Sequence, residues 1–247
     1  MPWPRLTARL AKAKPRVLTG WRIYAVGDIH GRADLLSALL ARIDADLRAN
    51  PTPNAMHAFL GDYIDRGPHS RQVLDLLIAR KREHQTVFLM GNHELYAAAV
   101  LNDSSLLREW QDMGGIPTLL SYGVRPTDRS DPNADEAAVV AFRQALPGAH
   151  RQFLSGLALS FSSGDYFFVH AGVRPGVALQ LQSQRDLLWI REEFLLHEED
   201  FGKIIVHGHS PTAEPAILPN RINIDTGAYA TGRLTCLVLE GEQMRFL

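Results

Sequence analysis

A chain with one cysteine cannot close an internal disulfide. Cys236 sits in an apolar run, residues 234–239, where it reads as core filling in a protein suited to a reducing compartment. No stretch approaches the ~20 consecutive apolar residues of a membrane span. The N-terminal segment also lacks the continuous apolar run of a signal peptide, so a cytoplasmic location and no membrane partner are expected. Net charge is nearly absent as well: 26 Lys and Arg against 27 Asp and Glu leave −1, which excludes a general basic field for polyanions. The one basic cluster, Arg5, Arg9, Lys12, Lys14, Arg16 and Arg22, lies in a proline-broken stretch. Residues 1–20 read as a solvated tail or short surface helix, and no nucleic-acid partner is expected. Repeats and low-complexity tracts are missing too, and 46% hydrophobic with 21% charged residues is an ordinary globular composition. The 247 residues fit one domain over 1–247.

What is present is a recurring plan. A short apolar run stops at a glycine with polar residues, and a helical pattern follows, which is the grammar of an α/β protein. Residues 22–26 alternate as a strand, 27–31 break it, and Leu35, Leu36, Leu39, Leu40, Ile43 and Leu47 recur at helical spacing. Residues 56–60 lead through 61–68 to a second amphipathic helix at Val73, Leu74, Leu77 and Ile78, and 86–90 lead through 91–94 to a third from 95 onward. From about 102 to 164 the periods are helical and punctuated by Gly114-Gly115 and several prolines, which reads as a helical insertion with an exposed loop at 125–135. Strand patterns return at 166–169, 203–206, 221–224 and 234–239. The expected architecture is two packed mixed β-sheets, a β-sandwich, flanked by helices.

The strand-end clusters carry the chemistry. In order they are Gly27-Asp28-Ile29-His30-Gly31, Gly61-Asp62-Tyr63-Ile64-Asp65-Arg66-Gly67, Gly91-Asn92-His93-Glu94, His170-Ala171-Gly172 and His207-Gly208-His209. Each supplies carboxylate, amide oxygen or imidazole and none a thiolate, the mixed set that a hard or borderline divalent cation takes. One Asp after a strand is a common turn former and one His near an apolar run is a common core residue. Five such clusters at strand ends, where loops converge, point to one shared metal site.

These motifs, complete and in order over residues 27–209, resemble the phosphoprotein phosphatase branch of the calcineurin-like metallophosphoesterases. Gly114-Gly115 before 118–123, and Asp186-Leu187-Leu188-Trp189-Ile190-Arg191, are similar to its bacterial serine/threonine protein phosphatases. The resemblance implies the calcineurin-like fold and two divalent ions, manganese first, with iron or zinc as the other candidates. It implies that Asp28 and His30 hold one ion, that Asn92, His170 and His209 hold the other, and that Asp62 bridges them. Water is then the attacking group, and paired ions can hold both ends of an in-line displacement. His93 is implied as the proton donor to the leaving alkoxide, oriented by Asp65, although it could instead cap the following helix. Arg66 and Arg191 are implied to clamp phosphate oxygens; beside Glu192 and Glu193, Arg191 could instead form a surface ion pair. His207 shares a strand face with His209 and is expected behind the ligands, and Asp225 either orients a ligand imidazole or closes a turn. Met90 stands where eukaryotic relatives commonly carry Arg, so their regulatory contacts do not transfer.

The expected activity is hydrolysis of phosphate monoesters, with a phosphoprotein or a small phosphorylated molecule as substrate. An alternative is symmetrical dinucleoside tetraphosphate hydrolysis or another nucleotide phosphohydrolase reaction, since those enzymes share the motifs and a similar Asp225-Thr226-Gly227 ending. Asp65 weighs against it, because a better leaving group needs less acid help. A non-catalytic binding module is the remaining class, and the intact ligand set with His93 and Asp65 weighs against that.

Overall fold

The computed structural model describes residues 14–126, 131 and 134–247. Three strand-helix units open the chain: β1 (Trp21–Val26), α1 (Ala33–Ala49), β2 (Asn54–Phe59), α2 (Ser70–Glu83), β3 (Gln85–Phe88) and α3 (Asn92–Val100). Short helices α4 (Leu107–Trp110) and α5 (Ile116–Ser121) follow, separated by a π-type turn at Gln111–Gly115, and then α6 (Ala134–Ala145) and α7 (Gly148–Ser155). The second half contains β4 (Ser160–Ser163), β5 (Tyr166–Val169), α8 (Gln184–Trp189), α9 (Glu192–Leu195), β6 (Ile204–His207), β7 (Ala216–Ile217), β8 (Arg221–Asn223), α10 (Ala228–Thr231), β9 (Cys236–Glu240) and β10 (Gln243–Phe246).

Among the described residues two five-stranded sheets result, in the orders β10-β9-β1-β2-β3 and β4-β5-β6-β8-β7. Both are mixed: β1, β2 and β3 run parallel with β9 and β10 antiparallel, and β5, β6 and β8 run parallel with β4 and β7 antiparallel. The period-two alternation of strands sorts their side chains into layers. Ile23 and Ala25 of β1 meet Phe168, Val206 and Ile222 between the sheets, while Tyr24 and Val26 face Leu36, Ile43, Val73 and Leu77 of the flanking helices. Phe167 and Val169 of β5 turn the other way and pack under Leu187 and Phe194.

The expected sandwich with outer helices is therefore the observed one, with local differences. The helical segment ends at Ser155, and Ser160–Ser163, inside the span expected to be helical, pairs with β5 as an edge strand. A Ser-Phe-Ser-Ser run offers one apolar side chain and no period. The 134–155 helices join the same core as α1 and α2 through Val139, Phe142, Phe153 and Leu154. Of the N-terminal stretch, residues 1–13 lie outside the described residues; within 14–20 no helix or strand forms. Arg22 of the basic cluster is buried and paired with Glu240 at 2.7 Å, so it is not offered to a polyanion. The loop expected at 125–135 lies in part outside the described residues, at 127–130 and 132–133, and α6 already begins at Ala134. Among the described residues no helix is long and apolar enough to cross a membrane.

Candidate metal centre

All the parallel strands deliver their carboxyl ends to one place. Ile29 and His30 donate backbone N–H to Asp62 O at 3.0 and 2.9 Å, tying the loop after β1 to the loop after β2. Gly208 N donates to His170 O at 2.8 Å, joining the loops after β5 and β6. Across the sandwich, His209 N donates to Asp28 Oδ2 at 3.1 Å, and His170 Nδ1 donates to Leu60 O at 2.9 Å. Close approach is permitted by Gly91: a Cβ there would lie 2.1 Å from Asp62 Oδ1.

Asp62 is the hub. Its Oδ2 lies 3.4 Å from His30 Nε2 and its Oδ1 lies 3.4 Å from His170 Nε2, so each oxygen faces a different group of donors. Two groups that could hold a cation share it, His30 with Asp62 and His93, and Asp62 with His170 and His209. Asn92 Oδ1 adds a further donor to the second, 3.0 Å from both His170 Nε2 and His209 Nδ1.

Tautomers test whether ions fit. Nδ1 of His170 faces the Leu60 carbonyl and Nδ1 of His30 faces the Ile64 carbonyl at 2.9 Å, so each must carry its proton there. Burial lowers the pKa of His170 and takes that of His30 to about 3 and of His209 to about 2, so the rings are neutral. A neutral His170 then aims an Nε2 lone pair at two oxygens, Asn92 Oδ1 and Asp62 Oδ1. Three acceptors facing one another repel unless a cation lies among them. Asp28 Oδ1 and His209 Nε2 are moreover buried with no hydrogen-bond partner among the described residues. Burial and then the nearby Asp225 and Asp62 charges push the Asp28 carboxyl well above its usual range, while burial, with Asp62 behind it, takes Asp225 up to about 6. Neutral imidazoles and crowded carboxylates are the donor set that divalent ions satisfy.

His93 differs from the other imidazoles. Its Nδ1 lies 2.7 Å from Asp65 Oδ2, and Arg66 Nη2 donates to its Nε2 at 3.2 Å. Burial lowers its proton affinity, but Asp62 and the hydrogen bond to Asp65 outweigh burial and leave its pKa raised. Asp65 is fully buried, with Oδ2 also accepting from Trp110 Nε1 at 2.8 Å and Oδ1 from Thr118 Oγ1 at 2.6 Å. The helical segment thus braces the Asp65 carboxylate. Arg66 is exposed, donates its backbone N–H to Gly114 O at 2.9 Å, and carries its guanidinium 5.0 Å from the Tyr229 ring centre. At Gly114 a Cβ would press on Arg66 Cγ at 2.9 Å, and φ there is 114°, a second place where only glycine fits.

The other expected residues divide. Asp28 adjoins His209 but stands outside both three-residue groups. Arg191 is exposed, and its positive charge lowers the proton affinity of both His170 and His209. It makes no ion pair with Glu192 or Glu193; Glu193 is taken by Arg174 at 2.8 Å. His207 stands edge-on to Phe194, with Nδ1 directed at Gly208 O, and belongs to neither donor group. Asp225 accepts from Gly227 N at 2.9 Å, the turn role, while also lying within the field of Asp28 and Asp62. Sequence reasoning missed Glu94. Its carboxylate is buried and accepts N–H groups from Gly91, Asp62, Tyr63 and Ile64, at 2.8–3.2 Å, clamping two metal loops together. Its place in the Asn92-His93-Glu94 motif was the available signal.

The backbone is strained where these groups meet. His30, Asp62, Asp65, Arg66 and His209 are the non-glycine residues with positive φ among those described, and all five belong to this centre.

A model of the calcineurin-like phosphoesterase family matches residues 22–237. The chain belongs to that family. It is a metallophosphoesterase, a hydrolase whose family implies divalent metal ions. Among curated relatives, it is 28% identical over 233 residues to the asymmetrical bis(5'-nucleosyl)-tetraphosphatase PrpE of Anoxybacillus flavithermus, covering 86% of this chain and 88% of that protein. It is 29% identical over 192 residues to the symmetrical bis(5'-nucleosyl)-tetraphosphatase of Acidovorax ebreus, covering 76% of this chain and 57% of that one. Among solved structures, a provisionally assigned diadenosine tetraphosphatase superposes with TM-score 0.63 at 20% identity, over 95% of this chain and 97% of its own. A cold-active protein-tyrosine phosphatase of a Shewanella species superposes with TM-score 0.57 at 16% identity, over 94% and 80%, a likeness of fold. The expectation of a calcineurin-like metallophosphoesterase is borne out, and its phosphoprotein phosphatase branch is not shown. The relatives' names favour the nucleotide alternative over the serine/threonine phosphatase reading.

Proposed function

We propose that this metallophosphoesterase hydrolyses dinucleoside tetraphosphates, using a dinuclear centre bridged by Asp62. The dinuclear reading rests on one observation, that the two Asp62 oxygens face different donor groups. The substrate class rests on relatives that align over most of this chain and are named for that reaction.

In this reading Asp28 and His30 would hold one ion and Asn92, His170 and His209 the other, with manganese the first candidate and iron or zinc also suited to mixed nitrogen and oxygen donors. Bound there, the ions would supply Lewis acidity for water and for the phosphoryl group. The protein's own groups do the rest. Leu60 O and Ile64 O orient His170 and His30 through their Nδ1 protons. Arg191, exposed beside His170 and His209, binds phosphate oxygens as a fork of donors. Arg66 does the same from the His93 side, and when it turns to the substrate it frees Nε2 of His93. That nitrogen then holds the proton for the departing oxygen, while Nδ1–H stays on Asp65.

Asp65 does not exclude a nucleotide leaving group. The Asp65–His93 pair fixes the ring and raises its proton affinity, which assists a good leaving group weakly and a poor one strongly. That pair is the observation favouring a second reading, hydrolysis of alkyl or aryl phosphate monoesters, including phosphoserine or phosphothreonine in protein. The test is a direct comparison on metal-loaded protein: nucleotide products from a dinucleoside tetraphosphate, resolved by chromatography, against phosphate release from a phosphopeptide. A kcat/KM for the tetraphosphate well above that for the phosphopeptide is expected; the reverse order overturns the proposal. Two nucleoside diphosphates mark symmetrical cleavage, and a mono- with a triphosphate marks asymmetrical cleavage.

A further inference from the structure

Beside the metal donors, around α8 and α9, lies a cavity of about 440 Å³, within the ~300–1,000 Å³ typical of small-molecule sites. It shares two residues with the centre: Arg191 lines it, and so does Trp189, whose ring packs edge-on against His209 at 6.2 Å and Tyr96 at 5.8 Å. Its charges are unevenly used. Arg174 is closed off by Asp186 at 2.6 Å and Glu193 at 2.8 Å. Arg185 and Arg191 remain exposed and form no ion pair among the described residues, with Glu192 the other acid in the lining and Asp186 within the field of Arg185. Two guanidinium groups without an ion pair among the described residues and a half-buried indole therefore border one depression, and two of its lining residues, Trp189 and Arg191, neighbour the donors His209 and His170.

We propose that this cavity is the subsite for the portion of a nucleoside polyphosphate beyond the phosphate under attack, with Arg185 binding a further phosphate and Trp189 offering its ring to the base. Guanidinium forks match phosphate oxygens two at a time, and an indole is a stacking surface tolerant of base identity. Arg185 lies in the first turn of α8 and Arg191 just past its last, so on this proposal a monophosphate ester of a small alcohol engages Arg191 alone. The subsite thus discriminates by length of the phosphate chain. This inference rests on the nucleotide reading above, so the experiment must separate the two.

Steady-state kinetics are compared for wild type, Arg185→Ala, Arg185→Glu and Arg185→Lys on a dinucleoside tetraphosphate and on 4-nitrophenyl phosphate, with inorganic tripolyphosphate and orthophosphate as competitive inhibitors of the second reaction. Arg185 is exposed, and its truncation opens no core. Expected is a KM for the tetraphosphate raised roughly tenfold by Ala, raised further by Glu and partly restored by Lys. The KM for 4-nitrophenyl phosphate and the inhibition by orthophosphate stay within twofold, and tripolyphosphate inhibition weakens in parallel with the tetraphosphate KM. Trp189→Leu should lower kcat/KM for the tetraphosphate relative to the aryl ester by roughly tenfold. Equal effects on both substrates, or none on tripolyphosphate, overturn the subsite. A wild type that cleaves only the aryl ester removes the nucleotide reading, and tripolyphosphate inhibition then still decides whether Arg185 binds further phosphates.

Discussion

Replacing Asp65 by asparagine removes a charge and almost no volume. Asp65 Oδ2 accepts from His93 Nδ1 at 2.7 Å and from Trp110 Nε1 at 2.8 Å, and Oδ1 accepts from Thr118 Oγ1 at 2.6 Å. An asparagine with its oxygen toward His93 and Trp110 places its amide toward Thr118, whose hydroxyl can turn to Ser70 Oγ, 2.8 Å away. The ring stays in place while its partner becomes neutral. A charge-assisted hydrogen bond exceeds a neutral one by ~1–2 kcal/mol, which corresponds to roughly 5- to 30-fold in rate when the proton is in flight. The assay is kcat for a series of aryl phosphates of rising leaving-group pKa on metal-loaded protein, with metal content measured alongside. Asp65→Asn should cost about that factor with phenyl phosphate and little with a nitrophenyl ester, and His93→Ala about 10²- to 10⁴-fold with phenyl phosphate. A uniform loss along the series, or loss of metal with activity, would refute the assignment of His93 as the proton donor braced by Asp65.

Asp62→Asn should lower metal content and activity together, since one oxygen becomes an amide nitrogen with no lone pair to offer and the other loses its charge; an inactive variant that retains both ions by elemental analysis contradicts the bridge. Arg191→Ala should mainly weaken phosphate binding, and an unchanged inhibition constant for orthophosphate rejects the clamp. His57 gives a pH prediction away from the centre: burial, helped by Arg80 and His84, takes its pKa to about 3 from an ordinary 6.5. Below 6.5 the unfolded chain binds a proton that the folded one refuses, so stability falls as pH drops toward 3, by up to ~1.4 kcal/mol per unit. His57→Asn keeps an acceptor for Arg80 Nε, which donates to His57 Nδ1 at 3.0 Å. Urea midpoints of that variant should decline less steeply between pH 6.5 and 4, and parallel curves would falsify the linkage.

The clusters after β1, β2, β3, β5 and β6 were legible because each follows a short apolar run and carries residues that only a ligand set would collect. Pairing of the two sheets was legible from the return of strand patterns after residue 164. The bracing of Asp65 was not: Trp110 and Thr118 lie 45 and 53 residues away along the chain, and no local period links them. Strands β7 and β10 escaped for a different reason. The first has two residues, and the second, Gln-Met-Arg-Phe, is an exposed edge with no buried face to impose alternation. His207 shows the limit of counting faces: it shares a strand face with His209 by number, yet its ring stands edge-on against Phe194 and only His209 joins a donor group. The choice between phosphoprotein and nucleotide turns on cavity walls and relatives, which motifs held in common by both branches cannot separate.

The left-handed main chain at His30, Asp62, Asp65, Arg66 and His209 has a bearing on engineering. Glycine would relax each of these positions and erase the group that makes it useful, and a branched side chain would satisfy neither demand. Attempts to make this enzyme hardier therefore have to leave those loops alone and work on helices and edges. Directed variation of specificity is freer on α8 and α9, whose exposed side chains carry no such double obligation.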